Sequence, residues 1–252
     1  MPKTSPKLRV GTLLCSVALM LTLASAVIRA QGAREVDTIQ TSKGLVRVTP
    51  IMHASLMLEF GGKVIHVDPW SQANYDGLPK ADVILITDVH PDHLDKAQID
   101  KLRKPSTVII APKAVATDLT EAQVIANGEK KTIADLDLEG VAMYNLKRGP
   151  AAGQLFHDKG RGNGYILTMG GKRIYLAGDT ECTTEMKALK NIDVAFIPMN
   201  LPYTMTPPEA ADCTRAFAPK VAYPYHYRGS EPKEFADALK GTATEVRLRK
   251  WY

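Results

Sequence analysis

The sequence predicts an α/β sandwich, with two mixed β-sheets packed face to face and helices on the outside. Three observations carry that prediction. Extended runs dominate, and the helical runs are interspersed among them rather than grouped. Two extended runs, Asp82–Thr87 and Ile192–Ile197, are almost wholly apolar, as expected for strands covered on both faces. A hairpin followed by a buried strand occurs twice with nearly the same spacing. Leu58-Glu59-Phe60-Gly61-Gly62-Lys63-Val64-Ile65-His66-Val67 is echoed by Leu167-Thr168-Met169-Gly170-Gly171-Lys172-Arg173-Ile174-Tyr175-Leu176.

Taken in order, residues 36 to 68 read as extended chain. Val46–Val48, Ser55–Phe60 and Lys63–Asp68 are strands, and Gly61-Gly62 is the turn of a hairpin. After the buried strand at Asp82–Thr87, a helix is expected over Lys96–Arg103, stopped by Pro105. A strand at Thr107–Ala111 and a short helix near Lys113–Leu119 follow. In the second half, helices are expected at Thr183–Leu189, Pro207–Phe217 and Glu231–Leu239. Thr206 is available as N-cap of the middle one, and prolines fill its first turn. Strands are expected at Val221–Tyr225 and Glu245–Arg249.

The first thirty residues stand apart from this plan. Lys3, Lys7 and Arg9 form a basic start, Val10 to Val27 an apolar run, and Ala24-Ser25-Ala26 an A-x-A cleavage pattern. That is the architecture of a secretory signal peptide, cut near residue 26 or at Ala30, and it predicts an exported, periplasmic or secreted protein. An uncleaved anchor is the rival reading, but Gly11, Thr12, Ser16 and Thr22 interrupt a run already short for a membrane span. Residues 31–252 are then a single domain without a stable membrane anchor. Removing the leader's three basic residues from a formal net charge of +5 leaves +2, too little to point to nucleic acid. At 45% hydrophobic and 23% charged, the composition is that of a folded domain rather than a disordered chain. Cys182 and Cys213 remain after cleavage. A disulfide and two free thiols are both open, because spacing alone cannot place them together.

The chemistry concentrates at Asp88-Val89-His90-Pro91-Asp92-His93, directly after a buried strand. Pro91 and the lack of helical amphipathicity place this segment on a loop at the strand's carboxyl end, where α/β sheets build their sites. Two carboxylates and two imidazoles crowded on one turn call for a cation, and both ligand types suit Zn²⁺, Mn²⁺ or Fe²⁺. The plainer reading is a helix N-terminus capped by Asp92 or Asp95. No G-x-S-x-G or Cys-His arrangement competes as a nucleophile system.

This D-x-H-x-D-H segment resembles the H-x-H-x-D-H signature of the metallo-β-lactamase superfamily. Other elements resemble the branch that includes ascorbate-6-phosphate lactonase and related metal-dependent hydrolases. They are His53-Ala54-Ser55, Val67-Asp68-Pro69-Trp70, Ile174-Tyr175-Leu176-Ala177-Gly178-Asp179-Thr180, Tyr203-Thr204-Met205 and Pro224-Tyr225-His226-Tyr227. The resemblance runs from residue 50 to 230. It implies a metallo-β-lactamase-type αββα sandwich that holds one or two divalent metal ions, zinc first with manganese or iron as alternatives. His90 would bind the first ion, Asp92 and His93 the second. Asp179 would bridge the two, and His226 would complete the second position.

Asp88 stands where the family has a histidine; a carboxylate can still bind, but it adds negative charge. The remaining ligand of the first position is His157 or Asn145, with His157 favoured because an amide oxygen binds transition metals poorly. Asp68 is expected to orient a ligand from behind the metals, and His53 to lie near the metals or in a hydrogen-bonded core. Gly160-Arg161-Gly162-Asn163-Gly164 reads as a glycine-rich turn, or as a cradle for an anion beside Lys159 and Arg161. The function implied is hydrolysis of a small-molecule lactone, ester, amide or phosphodiester by a metal-activated water, with Asp92 orienting that water and handling its proton. The alternative is a non-catalytic metal- or ligand-binding protein whose first position has degraded.

Overall fold

In the computed structural model, which describes residues 1–2 and 34–252, two seven-stranded sheets lie face to face. The expected signal peptide falls outside the described residues. The first sheet runs in sequence order: β1 (Asp37–Thr41), β2 (Gly44–Met52), β3 (Ser55–Phe60), β4 (Lys63–Val67), β5 (Ala81–Leu85), β6 (Arg103–Ala111) and β7 (Gln123–Val124). The second comprises β8 (Lys130–Ile133), β9 (Leu136–Met143), β10 (Gly162–Met169), β11 (Lys172–Leu176), β12 (Val194–Pro198), β13 (Val221–Tyr225) and β14 (Glu245–Val246), again in order. Both sheets are mixed, with antiparallel hairpins leading into parallel strands.

Side-chain alternation makes the layers. Inward residues of the first sheet (Val46, Leu58, Ile65, Val83, Leu85, Ile110) meet those of the second (Tyr165, Leu167, Ile174, Phe196, Tyr223) in one continuous core. The outward residues of the buried strands are apolar too, because helices cover them. Ile84, Ile86, Ile109 and Ala111 lie under α1 (Lys96–Leu102) and α2 (Lys113–Ala116). Ile166, Tyr175, Ala195 and Ile197 lie under α3 (Thr184–Lys187), α4 (Pro207–Phe217) and α5 (Pro232–Ala238). The expected αββα sandwich is therefore present, and double coverage explains why β5 and β12 read as unbroken apolar runs.

The repeat in the sequence has a structural counterpart. β3–β4 and β10–β11 are antiparallel hairpins whose turns, Gly61-Gly62 and Gly170-Gly171, have positive φ at both residues, as type I′ turns require. The Asp82 carboxylate accepts the Val64 N–H at 2.9 Å, and the Asp193 carboxylate accepts the Arg173 N–H at 3.0 Å. Each half therefore fastens its hairpin to the following parallel strand with the same device.

Local signals ended the helices near where they were read. Asp95 caps α1, accepting from Gln98 N–H at 3.0 Å, and Thr206 with Glu209 forms a reciprocal capping box on α4. The expected helix near Lys113–Leu119 stops at Ala116, and the strand expected at Glu245–Arg249 at Val246. Beyond Val246, Arg247 turns its guanidinium to Glu245 and the Tyr223 hydroxyl, and Arg249 pairs with Asp37. β8 and β9 had no reading in the sequence; Gly140 and the exposed charges of Lys130 and Lys131 blur their alternation. Cys182 and Cys213 form a disulfide that ties the segment before α3 to α4, and no helix among the described residues is long and apolar enough to cross a membrane.

Candidate metal centre

Six chain segments deliver side chains to one end of the sandwich, His157 coming from the loop between β9 and β10 and the others each leaving a strand or a turn at that edge. β5 ends at Leu85, and the chain then turns tightly, with His93 and Leu94 N–H both bonded to the His90 carbonyl at 2.9 and 2.8 Å. Because Asp95 caps α1 and also accepts the Ser71 N–H at 2.9 Å, Asp92 is free of helix duty and faces the centre. Asp68 follows β4, Asp179 follows β11, and His226 follows β13. His53 sits in the turn between β2 and β3.

Three of these residues hold backbone conformations that L-residues rarely adopt: His53 at φ 58°, Asp68 at φ 42° and His226 at φ 45°. The surroundings enforce them. His226 N–H donates to the His53 carbonyl at 3.0 Å, and Asp68 N–H donates to that of Leu85 at 2.9 Å. Gly178, at φ 66°, lets the chain pass Met143, whose sulfur would lie 2.4 Å from an added Cβ.

Hydrogen bonds behind the centre set the direction of two imidazoles. His93 Nδ1 lies 2.9 Å from an Asp68 oxygen, and that carboxylate also accepts the Thr87 N–H at 2.8 Å and hydroxyl at 2.6 Å. His157 Nδ1 lies 2.6 Å from Asn145 Oδ1, which also accepts the His157 backbone N–H at 2.9 Å. A carboxylate and an amide oxygen only accept, so each Nδ1 carries a proton and each Nε2 is the nitrogen that can present a lone pair to a cation. Both Nε2 atoms face Asp179 Oδ2 at 3.4 Å, and His226 Nε2 lies 3.3 Å from Asp179 Oδ1.

These inward atoms are left without partners. His93 Nε2, His157 Nε2, His226 Nε2 and Asp179 Oδ1 are buried and accept or donate no hydrogen bond. A buried carboxylate facing these nitrogens calls for positive charge among them, either a proton on an imidazole or a cation in its place. At His93 burial opposes the proton, but Asp179, Asp92 and Asp68 prevail and push its pKa well above the usual value. Ligand atoms on a tetrahedral Zn²⁺ would be about 3.3 Å apart, close to the observed separations. Three groupings of donors lie near enough to share an ion: His93, Asp179 and His226; Asp88, His90 and His157; His53, Asp92 and His226. The donor set fits a divalent cation.

The electrostatics favour ionised carboxylates. Burial opposes ionisation of Asp179, but His226, His93 and His157 outweigh it and hold its pKa well below the usual range. Burial likewise opposes Asp92, and His93, His226 and His53 likewise prevail. Asp88 is pulled down to about 2, burial again being overcome by its bond to His90 and the other imidazoles. Asp88 is also gripped by Arg161, with Nε 3.1 Å from Oδ1 and Nη2 2.8 Å from Oδ2. A two-point pair of this kind fixes the carboxylate plane and supplies the counter-charge that a neutral histidine would not need.

All the residues singled out in the sequence converge here. Asp88, His90, Asp92, His93, His157, Asp179 and His226 surround one volume, with Asp68 behind His93. His53 is not a detached core residue: its Nε2–H donates to Asp92 Oδ2 at 2.9 Å and its Nδ1 accepts from the Tyr252 hydroxyl. Between Asn145 and His157, only His157 faces inward, while Asn145 orients it. His66, bonded through Nε2 to the Pro79 carbonyl at 3.0 Å, lies in the first sheet apart from the centre. The anion-cradle reading of Gly160–Gly164 has no support, since Arg161 is held by Asp88 and Lys159 pairs with Glu185 at 2.5 Å. Thr87 and Tyr252 were missed as parts of the site, and neither left a sequence signal. Asn145 and Arg161 had been singled out, but as a rival ligand and as part of an anion cradle, not as the groups that orient His157 and hold Asp88.

The centre opens into a cavity of about 650 Å³. Trp70, Phe156, Leu201, Pro202 and Tyr203 form apolar walls, and Arg228 lies at its side.

Residues 47–226 match a family profile described as the beta-lactamase superfamily domain. A metal-dependent hydrolase of Geobacillus is 32% identical over 221 residues, spanning 77% of this chain and 93% of its own. One of Thermococcus kodakarensis is 29% identical over 216 residues, with 80% and 95% covered. Among solved structures, a candidate metal-dependent hydrolase from Parabacteroides distasonis superposes with TM-score 0.82 at 44% identity, covering 87% of this chain and all of that one. Igni18, a metallo hydrolase from Ignicoccus hospitalis, gives TM-score 0.68 at 26% identity, with 81% and 95% covered.

Proposed function

The chain belongs to the metallo-β-lactamase superfamily and is a metal-dependent hydrolase, and we propose that it cleaves a small lactone, ester, amide or phosphodiester at the centre described above. The observation that carries this reading is the set of buried, unpartnered donors on His93, His157, His226 and Asp179. We assign His93, His226, Asp92 and Asp179 to one cation position, and Asp88, His90 and His157 to a second, with Asp179 shared. When bound there, a divalent cation supplies Lewis acidity, lowering the pKa of a water toward ~7 and polarising the scissile carbonyl or phosphoryl oxygen.

The protein's own groups do the rest. Asp92, half-buried and ionised, accepts the proton of the attacking water and returns it to the leaving group. His53 donates to Asp92 Oδ2 and so fixes which oxygen is free to accept. The Tyr252 hydroxyl bonded to His53 Nδ1 keeps that imidazole in the donating tautomer. Pro91, Trp70 and Phe156 form walls that limit water near the reacting atoms. Arg161 offsets the extra charge of Asp88, so zinc is the first expectation, with manganese or iron next as carboxylate-tolerant ions.

The test is a hydrolysis screen of purified protein on chromogenic esters, lactones, phosphodiesters and a cephalosporin, each with Zn²⁺, Mn²⁺ and Fe²⁺. Turnover of at least one class, abolished by chelation and restored by one metal, is expected. Metal binding with no turnover on any class would overturn the proposed substrates. We also propose export. The leader pattern at residues 1–30 and the Cys182–Cys213 disulfide support it together, since disulfides persist in oxidising compartments. N-terminal sequencing of the mature protein should begin at Val27 or Gln31, and an intact Met1 would refute cleavage.

A further inference from the structure

We propose that the cavity above the metal centre takes an organic anion, with its apolar, ring-sized body against Trp70, Phe156 and Tyr203 and its carboxylate or phosphoryl group on Arg228. This rests on the hydrolase reading for the position of the scissile bond, but not for the binding itself.

Arg228 differs from the other arginines. Among the described residues, Arg34, Arg47, Arg103, Arg148, Arg161, Arg173, Arg215, Arg247 and Arg249 each donate to a carboxylate or a backbone carbonyl. Arg228 has no such acceptor among the described residues. Its guanidinium lies instead 5.9 Å from the centroid of the Trp70 ring, and both side chains line the cavity. A cation–π contact of this kind holds a guanidinium over a wall without using up its N–H donors. A planar, five-donor group kept free in this way is suited to a carboxylate or a phosphoryl oxygen.

Position adds to the case. Arg228 is two residues beyond His226, so the segment that supplies an imidazole to the centre also carries the cation. Apart from the histidines, Arg228 is, among the described residues, the one basic side chain lining the cavity, and the acids Asp92 and Asp179 lie at the metal end. The cavity therefore has a cationic wall on one side and the reactive centre on another. Phe156 and Tyr203, packed edge to face with ring centroids 4.9 Å apart, line the same cavity. Leu201 and Tyr203 are 45% and 43% exposed, an apolar lip on the cavity. At about 650 Å³ the space suits one ring and a short acidic arm. A simple solvated rim arginine would not need the Trp70 contact or this shared cavity.

The test uses the metal-loaded protein and three probes: 3-phenylpropionate, 2-phenylethyl phosphate and the neutral 3-phenylpropionamide. Binding is followed by calorimetry and by the fluorescence of Trp70, the chain's other tryptophan, Trp251, being buried. At least one anion should bind about tenfold or more tightly than the amide, and which one does so distinguishes a carboxylate substrate from a phosphorylated one. Arg228→Ala should erase that advantage, Arg228→Lys should keep part of it, and Trp70→Leu should weaken all three probes. An advantage that survives in Arg228→Ala would place the anion on the metal centre and overturn the proposal. So would an equal loss for the amide, which would make Arg228 a wall and no more. If no metal loads and no ester is cleaved, the hydrolase reading fails, while the anion preference of Arg228 is still read directly by these titrations.

Discussion

Replacing Asp179 by alanine is expected to cost the protein its bound metal and, with it, hydrolysis. Three imidazole nitrogens, on His93, His157 and His226, lie 3.3–3.4 Å from its two oxygens, and they belong to both proposed cation positions. Partners that merely orient a metal ligand cost about 10–100-fold in affinity when removed, and a shared ligand should cost more than that. Elemental analysis of the purified variant should find less than one equivalent, and the rise in Tm that added metal gives the wild type should vanish. The metal-free fold itself should survive, because removing Asp179 also removes a buried charge that lies beside Asp92 and requires compensation. A variant that keeps stoichiometric metal would sink the assignment of Asp179.

The second large effect is expected at Asp68. This carboxylate never touches the proposed metal position, yet it accepts the Thr87 N–H, the Thr87 hydroxyl and His93 Nδ1–H in a fully buried site. Asp68→Ala leaves the Thr87 N–H and hydroxyl without a partner and His93 Nδ1–H with only the Thr87 oxygen 2.9 Å away, which should destabilise the fold by about 3 kcal/mol or more. It also frees the His93 ring, so metal affinity should fall by about 10–100-fold. Asp68→Asn separates the two losses. Asparagine tolerates the positive φ of 42° and keeps one acceptor oxygen, so most of the stability should return. The weaker amide acceptor should still leave His93 less firmly held, and metal affinity intermediate. Denaturant unfolding and metal titration of the two variants provide the measurement. Unchanged affinity in both would mean that His93 is oriented by packing alone.

Much of this was legible in one dimension because local rules applied. The hairpins were visible at Gly61-Gly62 and Gly170-Gly171, where only a turn with positive φ would place two glycines between apolar runs. β5 and β12 were visible because a strand covered on both faces loses its alternation. α4 announced itself through Thr206, Pro207, Pro208 and Glu209. Strand β9 was missed because Gly140 interrupts it and its outward side chains, Asp137 and Glu139, carry charge. The candidate ligands Asp88, His90, Asp92 and His93 could be read together because they share one loop. Asp179 and His226 could be read only because each follows a strand and matches a family motif.

The sequence by itself determined the layers of the sandwich, the repeated half, and the residue types that could hold a metal. These follow from periodicity, turn chemistry and ligand chemistry, which act over a few residues. Only the tertiary structure decided which donors point inward, because that depends on partners far away along the chain. Asn145 had competed with His157 for one position, and the fold made it the group that aims His157. Asp88 looked like a defect in the signature until Arg161, 73 residues on, was found gripping it. Arg228 carried no signal in the sequence, yet the fold makes it, among the described residues, the one arginine without an acceptor, beside Trp70 and over the cavity. Charge compensation and lone-pair direction are properties of neighbours in space, and the order of residues along a chain does not contain them.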